Sequence, residues 1–344
     1  MHTQRMRRLW PRGSAVLLRK GDRSFLRCDG DWPGWVLSHT GSQALLKSTL
    51  LQNLWGGYGE LLRLTLQGGS TPSVILKRVV PPSGLEESVS DRRKRRSYLV
   101  EQAWYADGAK RCDNDCRVAT CYAIEQLEGS SLLLLEDLGN AGFAPERPPR
   151  PQHIRAGLSW LAHFHSRFLS SPPPGLWEQG SYWHLDTRRE EWRGMPEGCL
   201  KTAAEGLDQR LKAARYQTLL HGDAKPANFC WSPEGSAAAV DFQYVGPGCG
   251  IRDVAYFLDC CLGETGCERQ ANDWLELYFD VLRQAMRRDG HADHAEELEK
   301  EWRALYPVAW SDFCRFYQGW GNSSPLGSYS QRQLRQAVEG KPDP

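Results

Sequence analysis

One stretch of the sequence contains, in order, the residue types that phosphoryl transfer requires. Residues 221–228 read His-Gly-Asp-Ala-Lys-Pro-Ala-Asn, and an apolar run at 237–240 leads to Asp241. Transfer to a hydroxyl needs a carboxylate that accepts the hydroxyl proton, and oxygen ligands that hold Mg²⁺ against the phosphates. We therefore predict Asp223 as the base and Asn228 and Asp241 as the metal ligands.

An alternative interpretation is that these residues form an ordinary turn. Asp, Asn and Gly are enriched in turns for backbone reasons alone. For any one residue this interpretation would be preferred. The complete ordered set, with an apolar run on each side, favours a catalytic loop instead.

Residues 221–228 resemble the catalytic loop of the aminoglycoside phosphotransferase and choline kinase superfamily, which is related to the protein kinases. His-Gly-Asp takes the place of the protein-kinase His-Arg-Asp. The Asp-Phe-Gln that starts at Asp241, with the run 240–258, is most similar to the ecdysteroid kinase-like and related uncharacterised small-molecule phosphotransferases. The resemblance implies an α+β, bilobal protein-kinase-like fold, in which an N-terminal antiparallel sheet lobe precedes a larger, mainly helical C-terminal lobe.

The same resemblance implies ATP and Mg²⁺ as cofactors and adds His221 and Lys225 to the predicted catalytic residues. It also implies that Asp253 braces the catalytic loop from below, although an N-terminal helix cap is an alternative for this aspartate. Lys225-Pro226 departs from the small-molecule pattern and resembles the protein kinases, in which the lysine contacts the γ-phosphate.

The acceptor is expected to be a small molecule with a hydroxyl group. Only the eleven residues 242–252 separate Asp241 from Asp253, whereas protein kinases hold their peptide on a much longer segment at this place. A protein Ser/Thr kinase remains the first alternative. A catalytically silent pseudokinase, or nucleotide-binding scaffold, is the second, and the intact set of Asp223, Asn228, Asp241 and Lys77 disfavours it.

Elements earlier in the chain must position the nucleotide. Runs at 61–66 and 74–80 around a turn at 67–70 predict a β-hairpin. Gly56, Gly57 and Gly59 precede it, and glycine lets a backbone approach phosphates with its amides unshielded. A simple β-turn is the competing interpretation of these glycines.

The resemblance also assigns nucleotide-binding roles outside the glycine cluster. Lys77 ends a Val-Ile-Leu-Lys run similar to the strand whose lysine pairs with the α- and β-phosphates, and Glu101, on a predicted helix at 86–106, takes the position of its carboxylate partner. Glu136 and Leu138 resemble the hinge whose backbone meets the adenine. In the alternative, Lys77 simply exits to solvent and Glu101 belongs to a solvated helix face.

The pattern as a whole predicts two domains, 1–136 for nucleotide binding and 137–344 for catalysis and acceptor binding. The first should hold a five-stranded sheet with one helix, and a short helix at 42–47 followed by a strand at 48–55 is expected near its start; residues 1–40 match no known element. The second should be helical at 153–169, at 200–215 and beyond 251.

The bulk composition excludes several classes of partner. With 43 basic and 42 acidic side chains the net charge is +1, which gives nucleic acid binding no support. No run of 18 apolar residues predicts a membrane helix, and the arginine-rich start lacks the apolar core of a secretion signal. Eleven cysteines without such a signal predict a reducing, cytoplasmic location. The oligomeric state is left open.

Aromatic residues are frequent in the C-terminal third. They would either cage or stack on the acceptor or form the core of the helical domain, and the sequence leaves both interpretations open for Trp274, Tyr278, Trp302, Tyr306, Trp310, Tyr317 and Trp320.

Overall fold

The computed structural model describes residues 31–82, 88–321 and 325–340. The arginine-rich start, where the sequence predicts no secretion signal, lies outside these ranges. The chain divides into two compact units: the first comprises residues up to Ala106 together with Ala119–Ala144, and the second comprises Asp107–Val118 together with the residues from Pro145 onward. The domain boundary between 136 and 137 stays a prediction.

The first unit contains a five-stranded antiparallel sheet, as the sequence predicts. Its strand order is β1-β2-β3-β6-β5, with bounds β1 Ala44–Asn53, β2 Gly59–Gln67, β3 Ser73–Val79, β5 Cys121–Leu127 and β6 Ser130–Glu136. The predicted helix is α2, Val89–Ala106. One face of the sheet is buried because apolar residues alternate along the strands: Leu62, Leu64 and Leu66 on β2, Val74 and Leu76 on β3, and Leu132 and Leu134 on β6.

The start of the first unit differs from the sequence prediction. A helix, α1, spans Trp32–Thr40: Asp31 caps it by accepting the Gly34 N–H at 3.1 Å, and Gly41 ends it in the left-handed conformation. The helix predicted at 42–47 is wrong, because β1 already begins at Ala44. This edge strand carries two irregularities in its pairing with β2, and these obscure the alternation that normally identifies a strand.

The second unit is mainly helical, so the predicted α+β class is confirmed. Its helices are α3 Pro151–Arg167, α4 Arg189–Arg193, α5 Cys199–Lys212, α6 Ile251–Arg288, α7 Ala295–Gly319 and α8 Ser328–Glu339. Short strands accompany them: β7 Thr218–Leu220 pairs with β10 Gly246–Gly248, and β9 Ala237–Ala239 lies between β8 Phe229–Trp231 and β4 Arg117–Val118.

Most of the C-terminal aromatic residues belong to the core of the second unit. Tyr278, Trp302, Tyr306 and Trp310 are all buried, whereas Trp320 is 53% exposed. Burial of such large rings accounts for their number without any ligand. In the part of the chain that the structure describes, no helix has the length and apolar character to cross a membrane.

His184 is a buried histidine that makes folding stability depend on pH. Burial, and then the nearby Arg252, lower the pKa of His184 to about 3. An unfolded histidine takes up its proton near pH 6.5. Between these values the unfolded chain binds a proton that the folded chain does not, so the free energy of unfolding falls as the pH falls through this window.

We expect His184→Gln to lose less stability than the wild type when the pH is lowered from about 8 to about 5.5. The difference should be about 1 kcal/mol, because the lower pH lies about one unit below the pKa of an unfolded histidine. Urea unfolding midpoints of both proteins at the two pH values measure it. The pKa values of His153, His163 and His221 are also lowered, by burial, but these histidines are present in both proteins and their contributions cancel. Equal losses would show that His184 is protonated in the folded state.

Candidate active site

The predicted catalytic loop lies between two short strands of the second unit. Residues 221–228 connect β7 to β8, and Asp241 follows the end of β9. The Val240 N–H donates to the Asn228 carbonyl at 2.9 Å. This bond extends the β8–β9 pairing, so the end of the loop and Asp241 are held beside each other.

Asp253, in the first turn of α6, binds the backbone of the predicted catalytic loop. Its carboxylate accepts the His221 N–H at 2.6 Å and the Gly222 N–H at 3.1 Å, and it is 2% exposed. Two backbone bonds to a buried carboxylate fix the path of the chain. Because the carboxylate serves the loop and not the helix, the bracing role is favoured over the helix cap.

The backbone conformation of this loop explains why residue 222 is a glycine. Its φ is +81°, and a Cβ at this position would lie 2.1 Å from the Tyr244 carbonyl oxygen. An arginine, as in the protein-kinase motif, would collide with that backbone atom. The glycine of His-Gly-Asp is therefore required by the close packing of the loop against residue 244.

Asp223 is almost fully buried, and both of its carboxylate oxygens are contacted. Lys225 Nζ lies 2.7 Å and Asn228 Nδ2 3.0 Å from Oδ2. On the other side, the Tyr256 hydroxyl lies 3.3 Å from Oδ1. The structure brings Asp223, Lys225 and Asn228 together, as predicted. The contact that Tyr256 of α6 makes with Asp223 was not predicted.

His221 is completely buried, and both of its ring nitrogens face the backbone. Nε2 lies 3.0 Å from the Val240 carbonyl, and Nδ1 accepts the Asp223 N–H at 3.3 Å. These partners require a neutral ring protonated on Nε2, and burial lowers the pKa of His221. This geometry suits a residue that positions Asp223. For His221 it therefore favours a positioning role over direct participation in the chemistry.

Lys225 keeps its charge next to the candidate base. Burial disfavours the ammonium form, but the Asp223 carboxylate outweighs this effect and, with Asp241, raises the pKa of the lysine. The Lys225 side chain is 32% exposed, so its ammonium group can contact Asp223 and also meet a phosphate oxygen.

Asn228 and Asp241 present the oxygen donors that Mg²⁺ prefers. Asn228 directs its amide nitrogen to the Asp223 carbonyl and carboxylate at 2.9 and 3.0 Å, so its side-chain oxygen is the atom left to meet a cation. Asp241 has a φ of +69°, an uncommon conformation that is often found at functional sites. Mg²⁺ usually takes one or two protein ligands and completes its shell with phosphates and water, so the pair fits the ion.

The candidate nucleotide residues lie in the first unit, where Lys77 and Glu101 form an ion pair. Lys77 Nζ lies 2.5 Å from Glu101 Oε2, and both side chains are less than 10% exposed. Lys77 occupies the face of β3 opposite Leu76, and α2 supplies Glu101. The lysine therefore does not exit to solvent, and Glu101 does not lie on a solvated face.

The glycine cluster forms the tight turn between β1 and β2. Gly56, Gly57 and Gly59 have φ values of +74°, +78° and +128°, and a Cβ on Gly59 would lie 2.1 Å from the Arg78 carbonyl oxygen. Tyr58, inside the turn, donates its hydroxyl to Asp91 of α2. The turn geometry alone explains the glycines, and it leaves phosphate binding by this turn as a prediction.

Glu136 and Leu138 lie at the end of β6, as the resemblance implies. The Leu138 carbonyl accepts the Gly142 N–H and, at 3.1 Å, the Phe143 N–H, so the backbone group that Leu138 can offer to an adenine is its N–H. Between them, the Asp137 carboxylate accepts hydrogen bonds from Arg63 of β2 at 2.7 Å and from Ser73 of β3 at 2.6 Å. These bonds tie the segment to both strands.

Sequence reasoning missed two tyrosines near Asp223, the candidate base. Tyr256 contacts Asp223, and the Tyr182 hydroxyl lies 3.1 Å from that of Tyr256. The position of Tyr256 three residues after Asp253, on the same face of α6, was the only signal that could have indicated it. Nothing local marks Tyr182, which lies in an irregular segment.

Comparison with known proteins identifies one family and several solved structures of similar fold. A model of the phosphotransferase enzyme family matches residues 63–305, and no curated protein sequence matches the chain. Similar solved structures include a microcompartment-associated aminopropanol kinase (15% identity, 90% of this chain and 98% of that chain, TM-score 0.49). Others are a choline kinase from Streptococcus pneumoniae (14%, 90% and 96%, 0.45) and an aminoglycoside phosphotransferase from Alicyclobacillus acidocaldarius (16%, 94% and 100%, 0.46). Similarity at this level says nothing about the acceptor of this chain.

Proposed function

Because the chain belongs to the phosphotransferase enzyme family, we propose that it transfers the γ-phosphoryl group of ATP to a hydroxyl group of a small molecule. The observation that carries this proposal is the environment of Asp223. A buried carboxylate held by Lys225 and Asn228 of its own loop, with Asp241 at the adjacent strand end, is the arrangement that phosphoryl transfer to an alcohol needs.

Each residue of the loop has a distinct role in this mechanism. Asp223 accepts the proton of the acceptor hydroxyl as the oxygen attacks phosphorus. Lys225 neutralises charge on the phosphoryl oxygens, and His221 with Asp253 fixes the loop. Asn228 and Asp241 would hold Mg²⁺, which when bound offsets the charge of the phosphates.

The first unit would hold the nucleotide. Lys77, kept in place by Glu101, would pair with the α- and β-phosphates. The amides of Gly56, Gly57 and Gly59 would face the phosphates, and the backbone of Glu136 and Leu138 would meet the adenine. These roles follow from the resemblance and from the buried ion pair.

A small acceptor is supported by the segment that follows Asp241. Residues 242–250 are largely buried, and Gly246–Gly248 are paired with β7 as β10. A buried strand cannot also present its edge to a peptide substrate. This observation disfavours the alternative of a protein kinase, and the intact Asp223 environment disfavours a pseudokinase.

The proposal is tested by measuring ATP consumption with a panel of amino alcohols, aminoglycosides, sugars and sterols. A serine- and threonine-containing peptide serves as the protein-kinase control, and nucleotide binding with and without Mg²⁺ identifies a silent scaffold. Phosphorylation of a panel member, confirmed by mass spectrometry of the product, supports the proposal. Phosphorylation of the peptide alone contradicts it.

Lys225→Ala should lower kcat on the order of a hundredfold, the usual effect of losing one preorganised group that stabilises the transition state. The KM for ATP should change little, because the lysine meets the phosphoryl group mainly during transfer. Steady-state kinetics measure both, and the exposed Lys300→Ala is the control for removal of a positive charge. A raised KM with unchanged kcat would assign Lys225 to ground-state binding.

A further inference from the structure

The two oxygens of the Asp223 carboxylate are not equivalent. Among the described residues, Oδ2 has two hydrogen-bond partners, Lys225 and Asn228, whereas Oδ1 has one, the hydroxyl of Tyr256. A carboxylate oxygen accepts two hydrogen bonds. Oδ2 is thus saturated by its own loop, and Oδ1 keeps a position for an incoming hydroxyl.

The proton positions around Tyr256 follow from the chemistry of its neighbours. An ionised carboxylate can only accept, so the Tyr256 hydroxyl donates to Asp223 Oδ1. A phenol has a single proton, and therefore the Tyr182 hydroxyl, 3.1 Å away, must donate to the Tyr256 oxygen.

Both tyrosines keep their protons over the physiological pH range. Burial raises the pKa of Tyr256 well above 10, and the neighbouring Tyr182 adds to this effect. Burial, followed by the Asp223 charge, does the same for Tyr182. Both hydroxyls therefore remain available as donors in the chain from Tyr182 through Tyr256 to Asp223 over this pH range.

Resting on the proposed function, we propose that Tyr256 is a positioning residue for the transfer: it fixes the rotation of the Asp223 carboxylate so that Oδ1 meets the acceptor hydroxyl. Tyr182 orients the Tyr256 hydroxyl. In the step itself the acceptor O–H bond breaks, its proton moves to Oδ1, and the oxygen forms the new bond to phosphorus while the bond to the ADP oxygen breaks.

The packing of Tyr256 permits a clean test. Its ring lies in a buried cluster with Trp183, Phe313 and Phe316, so Tyr256→Phe keeps the ring and removes only the hydroxyl. A matched control exists elsewhere in the second unit. Tyr329 donates its hydroxyl to Tyr306, also at 3.1 Å and also buried, and this pair does not contact Asp223.

We expect Tyr256→Phe to lower kcat about tenfold, the effect of one hydrogen bond to a charged group, with the KM for ATP unchanged. Tyr329→Phe should keep the wild-type kcat while losing comparable thermal stability. The readout is consumption of Mg·ATP with an acceptor found in the panel, or with water as the acceptor.

A double variant separates positioning from a general structural effect. If Tyr256 acts through Asp223, adding Tyr256→Phe to Asp223→Asn should lower turnover no further. A tenfold loss in both backgrounds, or a wild-type kcat for Tyr256→Phe, overturns the inference. Full activity of Asp223→Asn alone would instead contradict the proposed function, so the two failures are distinguishable.

Discussion

Replacing Asp223 with asparagine should lower kcat by about a hundredfold to ten-thousandfold, the usual span for the loss of a general base. Asparagine keeps the shape of the side chain and still accepts hydrogen bonds at its amide oxygen, but it cannot take up the proton of the acceptor. The affinity for Mg·ATP should stay within about a few-fold of wild type, because the predicted metal ligands are Asn228 and Asp241.

Two measurements are needed for this variant. Calorimetry gives the affinity for Mg·ATP, and steady-state kinetics with the identified acceptor gives kcat. The variant could also lose activity by misfolding, since Asp223 is buried beside Lys225; a misfolded protein would lose binding and turnover together. Normal binding with full turnover would remove Asp223 from the mechanism.

Replacing Asp241 should have an effect of similar size through the metal. Without this carboxylate, Mg²⁺ would lose the one charged protein ligand predicted for it, and turnover should fall by about a hundredfold or more. Asp241→Asn is the better variant, because asparagine tolerates the positive φ of this position. Asp241→Ala adds backbone strain of about 1–2 kcal/mol.

The readout for Asp241 includes one that does not depend on turnover. In the wild type, Mg²⁺ should strengthen nucleotide binding; in Asp241→Asn this difference should be largely lost, while weak binding of metal-free nucleotide remains. Glu234, on the surface turn between β8 and β9, provides a control through Glu234→Gln. Retention of the Mg²⁺ effect and of turnover would show that Asp241 is not a metal ligand.

The catalytic loop was predictable because its members lie close together in the sequence. Asp223, Lys225 and Asn228 are fixed relative to one another by a few residues of loop, and the β8–β9 pairing places Asp241 next to them. Local order was therefore enough to predict that these side chains come together; their chemical roles stay a prediction. The same holds for the hairpin of β2 and β3, where alternating leucines define the buried face.

The tyrosine contacts of Asp223, the candidate base, could not be predicted in this way. Tyr256 lies 33 residues from Asp223, and Tyr182 lies 74 residues from Tyr256. Each belongs to a different element, and only packing of the whole second unit brings them together. Residue type gives no help either, because most tyrosines in a helical core serve only to pack.

The first helix shows a different limit. Asp31 and Gly41 are ordinary helix-boundary signals, and they were present in the sequence, but the apolar residues of the next segment dominated the pattern there. The predicted helix at 42–47 includes Leu45 and Leu46, whereas β1 has a bulge at these residues, where the pairing register shifts. An edge strand with bulges loses the periodicity on which such predictions depend.

Asp107–Val118 belongs to the second unit, although the chain on both sides of it belongs to the first. This stretch supplies β4, the Arg117 carbonyl that accepts the Trp160 indole N–H at 2.8 Å, and Arg111, which donates to the Ser171 carbonyl at 2.7 Å. During synthesis it leaves the ribosome before any of the helices on which it packs. A fragment that begins at Pro145 therefore lacks part of the second unit, and Asp107–Val118 must wait for the later helices before it can pack.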